Sequence, residues 1–245
     1  MVQIMDRRFS DIGETLEIVD LSHTLENDMP IGGGQSFYYH CPWGRQQDGA
    51  PYNSAQIITN EHNGTHLDAP GHFVKVDGEQ IWVDEIPIDR FFAPCVVIEA
   101  SELFPLREGR YVSKAHIIDW ENVHGPIAKN SAVLMHTGWD EKWALMPNHG
   151  EYLKNWPSID ESAAEYLIQK EVKIYGTDTI SVDAHDTENF PVHHLLLGKK
   201  IVLIEALTNL SQVRGPAYLI AMALKIGKGT GSPVRAVAMI ERERK

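Results

Sequence analysis

Glu61-His62-Asn63-Gly64-Thr65-His66-Leu67-Asp68-Ala69-Pro70-Gly71-His72-Phe73 is the stretch from which the chain is best understood. Three histidines and an aspartate fall within eleven residues, separated by small or turn-forming residues. Neutral imidazole and carboxylate together suit a divalent transition metal such as zinc or manganese. On a helix, His62 and His66 share a face but Asp68 points away from both. On a strand, positions 62, 66, 68 and 72 share one face. A straight strand rises roughly 3.3 Å per residue, however, and would hold His62 and Asp68 about 20 Å apart. Ligands of one ion sit only about 2 Å from it. The chain must therefore curl, at Gly64 and again at Ala69-Pro70-Gly71. The run Asn53-Ser-Ala-Gln-Ile-Ile-Thr-Asn60 predicts a strand leading into this loop. With 12 histidines in the chain a pair would mean little, but this cluster makes a plain histidine-rich surface loop the weaker reading.

The 245 residues are 43% hydrophobic, enough for one sizeable core and a single domain over 1–245. No Pro-, Gly- or Ser-rich linker divides the chain, and no internal repeat or low-complexity tract stands out. No apolar run reaches the roughly 20 residues that span a bilayer. Met1-Val-Gln-Ile-Met-Asp-Arg-Arg8 lacks the apolar core of a secretion signal, so a cytoplasmic protein without membrane partners is expected. Cys41 and Cys95 give no disulfide framework, and Cys95, opening Cys95-Val-Val-Ile98, reads as a buried core residue. A formal net charge of −12 argues against nucleic acid, which needs clustered Lys and Arg. The interrupted basic tail Arg242-Glu-Arg-Lys245 reads as a solvated end.

Short runs rich in Val and Ile predict strands at 17–20, 95–98, 132–135, 173–175, 201–204 and 234–239. Ser113 is placed to cap a helix through Asp119. Ser158-Ile-Asp-Glu161 resembles a capping box opening a helix to about Lys170, with Ala163, Ala164, Leu167 and Ile168 at helical spacing. Strands mixed with a few helices imply an α/β or α+β domain. The aromatics and prolines of 37–52 read as a long irregular segment, a lid or a subunit contact.

Metal sites gather ligands from distant positions, and a second candidate region runs from Asn189 to Leu207. Pro191 can open a short helix carrying His193 and His194. Glu205 ends a strongly apolar strand, where a carboxylate is costly to bury unless paired or metal-bound. The alternatives are that Glu205 reaches solvent and that His194 makes a structural hydrogen bond. Asp178 and Asp183-Ala-His185-Asp186 read as a surface turn rather than a support for the site.

The loop resembles the His-x-Gly-Thr-His-x-Asp-x-Pro-x-His signature of the cyclase-like metal-dependent hydrolases, which include bacterial kynurenine formamidase and isatin hydrolase. Further matches are Val19-Asp-Leu-Ser-His-Thr-Leu25, Val133-Leu-Met-His-Thr-Gly-Trp139, Tyr175-Gly-Thr-Asp-Thr-Ile-Ser181, His193 with Glu205, and Gly231-Ser-Pro-Val-Arg235. The resemblance covers about residues 17 to 240. It implies an α/β, single-domain, three-layer β/α/β (swivelling-type) fold with a mixed sheet, assembled as a homodimer or larger. It implies His62, His66 and Asp68 as ligands of a first metal. His193 and Glu205 would complete a two-metal site, with Asp68 and Glu205 bridging. His72 would be the catalytic acid/base. Isatin hydrolase relatives use one manganese ion, so one or two ions, zinc or manganese, are expected. Where the formamidase has a tryptophan after Met29-Pro30, this chain reads Ile31-Gly-Gly-Gly-Gln35, and it carries extra residues at 37–52 and 139–157. Both differences point towards isatin hydrolase or an unassigned member of the family.

The expected chemistry is metal-assisted hydrolysis of an amide, formamide or lactam C–N bond in a small, aromatic substrate. His72, past the Pro70-Gly71 turn, suits proton transfer, with a fourth metal ligand as its alternative role. Ser232 and Arg235 are candidate substrate contacts, with arginine suited to a carboxylate. Two rivals belong to other classes. A cupin-like metal oxygenase would carry a His-x-His pair, which the chain lacks. A metal or small-molecule binding protein without turnover would have no use for His72.

Overall fold

The computed structural model describes residues 15–101, 111–185 and 187–242. The first residues, Asp186 and the last three of the basic tail therefore lie outside the description. In chain order the elements are β1 (Leu16–Asp20), β2 (Tyr39–Gly44), β3 (Ser54–Ile58), β4 (His66–Asp68), β5 (Phe92–Glu99), β6 (Tyr111–Val112), α1 (Lys114–His124), β7 (Ala132–His136), β8 (Ser158–Ile159), α2 (Glu161–Gln169), β9 (Ile174–Thr177), α3 (Pro191–Leu197), β10 (Val202–Glu205), β11 (Ala217–Ala223) and β12 (Gly231–Glu241).

Eight strands form one sheet in the order β1-β12-β11-β5-β7-β9-β10-β4, and β4 also pairs with β12. That last pairing closes the sheet into a barrel-like arrangement. Strands β5, β7, β9 and β10 are parallel; the remaining pairs are antiparallel. The fold is mixed α/β. The parallel strands are covered on both faces, which is why they read as unbroken apolar runs. Ala132, Leu134, Ile174, Val202 and Ile204 point into one core, inside the curve of the sheet. Val133, Met135, Tyr175 and Leu203 point into a second core, packed by Ile117 of α1, Ala163, Ala164 and Leu167 of α2, and Val192, Leu196 and Leu197 of α3.

Strand alternation then places the chemistry. Leu203 faces the helices, so Glu205, two residues on, faces the same side. On β4, His66 lies directly opposite Glu205 and Asp68 opposite Leu203. Directly opposed residues share a face. The carboxylates of Asp68 and Glu205 and the His66 ring therefore emerge together on the helix side, beside α3.

Several elements differ from the sequence expectation. The strand expected at 234–239 is longer, and β11, Ala-Tyr-Leu-Ile-Ala-Met-Ala, was not anticipated. Its Ala, Leu and Met favour helix, but ladders to β12 on one side and β5 on the other hold it extended. The segment 37–52 is not wholly irregular: β2 within it pairs with β3 as a separate two-stranded ribbon. Ser113 does cap α1, which runs to His124 and stops at Gly125. The capping-box expectation at Ser158 fails: Ser158 lies in β8 and its hydroxyl donates to the Val182 carbonyl. Asp160 is the cap, accepting the Ala163 N–H at 2.9 Å. Among the described residues, no helix is long and apolar enough to cross a membrane.

Candidate metal centre

The loop between β3 and β4 curls where glycine allows it. Gly64 has φ 64°, and a Cβ there would come within 2.3 Å of Leu25 Cδ2. A second turn, Pro70–His72, follows β4 and swings His72 back beside the cluster. These bends solve the distance problem of a straight strand. His62 Nδ1 lies 2.7 Å from Asp68 Oδ1, and His66 Nε2 lies 3.5 Å from the same oxygen.

The distant residues arrive as well. His66 Nε2 is 3.2 Å from Glu205 Oε2, and His193 Nε2 is 3.2 Å from Glu205 Oε1 and 3.4 Å from Asp68 Oδ2. Five side chains from the β3–β4 loop, β4, α3 and β10 thus converge. His62 is 8% exposed, and the other four are 5% or less. His194, next along α3, is exposed and its ring packs against Phe73.

Each outer nitrogen has its own acceptor. His66 Nδ1 is 2.8 Å from the Gly64 carbonyl, and His193 Nδ1 is 2.6 Å from Asp183 Oδ2. Both partners only accept, so these nitrogens carry the protons and each Nε2 of a neutral ring carries a lone pair. Those lone pairs face carboxylate oxygens. An acceptor facing acceptors is unfavourable unless a cation or a proton lies between them. Asp68 Oδ2, moreover, is buried with no hydrogen-bond partner among the described residues. Holding the far nitrogen of an imidazole with a carbonyl or carboxylate is how metal-binding histidines are oriented. Donor set and unmatched oxygen together fit a divalent cation.

Protonation follows the same geometry. Burial alone would push His66 down, but Glu205 and Asp68 raise it to about 9. His193 is likewise raised against burial, by Asp183, Asp68 and Glu205. Burial and Asp68 oppose ionisation of Glu205, yet His193 and His66 hold it down to about 2. Asp68 is held well below the usual carboxylate range despite burial, by His193 and His62. Without a cation, the cluster compensates its two carboxylates by taking up protons on imidazole.

His72 stands apart from this wiring. Its ring stacks on His62, with centroids 3.9 Å apart and planes at 21°. One of its nitrogens lies within 4.8 Å of the nearest donor atoms of His62 and Asp68. Burial lowers its pKa to about 4, so at neutral pH the ring is an uncharged proton acceptor.

Two expected substrate contacts are not brought to the cluster. Ser232 lies opposite Leu67, on the face of β4 turned away from His66 and Asp68. Its hydroxyl accepts from Leu224 N and donates to the Pro233 carbonyl. Arg235 is a surface residue, 76% exposed, with Nε and Nη2 donating to the Asp20 carboxylate at 2.9 and 2.6 Å. The surface-turn expectation for Asp183 is also corrected: it is 2% exposed, orients His193 and accepts the Val192 N–H. Asp178 is buried too, but its carboxylate is taken up by the Thr137 hydroxyl and the Thr137 and Trp139 amides.

A family model described as cyclase matches residues 19–184. Isatin hydrolase of Roseibium aggregatum is 33% identical over 193 residues, covering 75% of this chain and 73% of that one. Kynurenine formamidase of Bacillus thuringiensis is 28% identical over 228 residues, covering 91% and 98% respectively. Among solved structures, isatin hydrolase A from Labrenzia aggregata, bound to benzyl benzoate, superposes with a TM-score of 0.87 at 31% identity, covering 98% of both chains. On the matched family model and on relatives that extend over most of its length, the chain belongs to the cyclase family.

Proposed function

We propose that this chain is a metal-dependent hydrolase that opens an amide, formamide or lactam C–N bond of a small aromatic substrate, in the manner of isatin hydrolase or kynurenine formamidase. The observation that carries this is the convergence of imidazole lone pairs and two carboxylates on one buried point. His62, His66, Asp68, His193 and Glu205 would hold zinc or manganese, as one ion or two. Such an ion polarises a carbonyl and brings the pKa of bound water from about 15.7 towards 7. His72 then has the proton work. Its neutral ring accepts a proton from the attacking water as the carbon–oxygen bond forms. It returns that proton to the leaving nitrogen as the C–N bond breaks, giving a carboxylic acid and an amine.

The cupin-like oxygenase reading is not retained, because the relatives carry the names isatin hydrolase and kynurenine formamidase, neither of them an oxygenase. The finer three-layer β/α/β description stays part of the proposal, supported by the helix layer on one face of the sheet and the separate β6–β8 pair. So does self-association, supported by the exposed apolar residues of the ribbon, Tyr39, Trp43, Ile57 and Ile58. A monomer in analytical ultracentrifugation would remove it.

The test of the main reading is a hydrolysis screen of zinc- and manganese-loaded protein on isatin, N-formylkynurenine and simple formanilides. Turnover of at least one, abolished by chelator and restored by metal, is expected, with isatin favoured by the Ile31-Gly-Gly-Gly-Gln35 run. No turnover across the set, with metal retained, would favour a binding protein instead.

A further inference from the structure

We infer that Glu61 and Thr230 are positioning residues that decide which nitrogen His62 offers to the metal centre. The inference rests on the metal-binding reading above. Glu61 Oε2 accepts from Thr230 N at 2.7 Å, from the Thr230 hydroxyl at 2.9 Å and, more loosely, from Gly231 N at 3.4 Å. The same Thr230 oxygen lies 2.9 Å from His62 Nε2. A hydroxyl has one proton, and a carboxylate has none to give. With that proton directed at Glu61, Thr230 can only accept from His62. The His62 proton is thereby fixed on Nε2, and the Nδ1 lone pair faces Asp68 Oδ1 at 2.7 Å.

This is the opposite choice from His66 and His193, which turn Nδ1 outward and Nε2 inward. A ring offered the wrong way round would place an N–H where the cation belongs. The backbone leaves room for this close approach. A Cβ at Gly231 would lie 2.5 Å from His62 Cε1 and 2.9 Å from its Nδ1. One at Gly229 would lie 2.9 Å from Val83 Cγ1 and 3.1 Å from Glu61 Oε1. Only glycine on both sides lets the strap Gly229-Thr230-Gly231 close over the ring and carboxylate together. None of this was apparent from sequence, where Glu61 merely precedes a ligand.

Two variants separate positioning from packing. Thr230→Val removes the hydroxyl at nearly constant volume. Glu61→Leu removes the acceptor at similar volume, freeing the hydroxyl proton to reverse towards His62. Both should weaken zinc binding by about 10–100-fold in chelator competition, the range for residues that orient ligands. Thr230→Ser should restore it. In long-range 1H–15N spectra of zinc-loaded protein, the His62 proton should sit on Nε2 in the wild type and in Thr230→Ser. In Glu61→Leu a population protonated on Nδ1 should appear. If Thr230→Val does not fold, Glu61→Leu and Thr230→Ser decide the matter. Wild-type zinc affinity in Glu61→Leu with an unchanged spectrum, or a wild-type His62 proton on Nδ1, would overturn the inference alone. A wild type that binds no zinc would instead overturn the metal reading beneath it.

Discussion

Asp68→Asn is expected to empty the metal centre while leaving the fold intact. Asp68 is the side chain that reaches all three converging imidazoles: Oδ1 meets His62 and His66, and Oδ2 meets His193. Replacing one oxygen by an amide removes a charge and supplies N–H groups to the lone pairs that now face acceptors. Hydrogen bonds would then satisfy the imidazoles in place of a cation. Residues that merely orient ligands alter metal affinity by about 10–100-fold, so loss of a shared carboxylate should exceed about 100-fold and take turnover with it. Plasma emission on desalted protein is the measurement. Unchanged stoichiometry would remove Asp68 from the ligand set.

His72→Ala should separate metal from chemistry. The ring touches His62 by stacking and no acceptor among the described residues orients it, unlike the rings of His66 and His193. Its loss should leave metal content unchanged and lower kcat by about 10²–10⁴-fold, the usual contribution of a positioned acid or base. Loss of metal in this variant would make His72 a ligand rather than the group that carries the proton.

Much of this could be anticipated from residues alone, for stated reasons. The apolar parallel strands announced themselves because they are buried on both faces. The curl around Gly64 was required by distance, and the positive φ there meets that requirement. Glu205 at the end of an apolar strand was suspect because burying a lone carboxylate is costly, and it does meet imidazoles. What escaped was set by pairing across the fold. β11 carries helix-favouring residues and is extended only because two neighbours claim its backbone. Asp183 looked like part of an acidic turn, since nothing local says that α3 will bring His193 against it. Ser232 and Arg235 were candidates because they lie in the family-like run Gly231-Ser-Pro-Val-Arg235 and arginine suits a carboxylate, but strand alternation and the Asp20 partner turn them elsewhere. Spacing along the chain thus reveals which residues are suited to a site, whereas register decides which of them face it.

The most direct measurement is anomalous diffraction from crystals of the zinc- or manganese-loaded protein, collected at the absorption edge of the metal. A peak about 2.0–2.2 Å from His62 Nδ1, His66 Nε2 or His193 Nε2, and from an oxygen of Asp68 or Glu205, is the predicted result. Metal found only elsewhere, with these five side chains still facing one another unbridged, would contradict it.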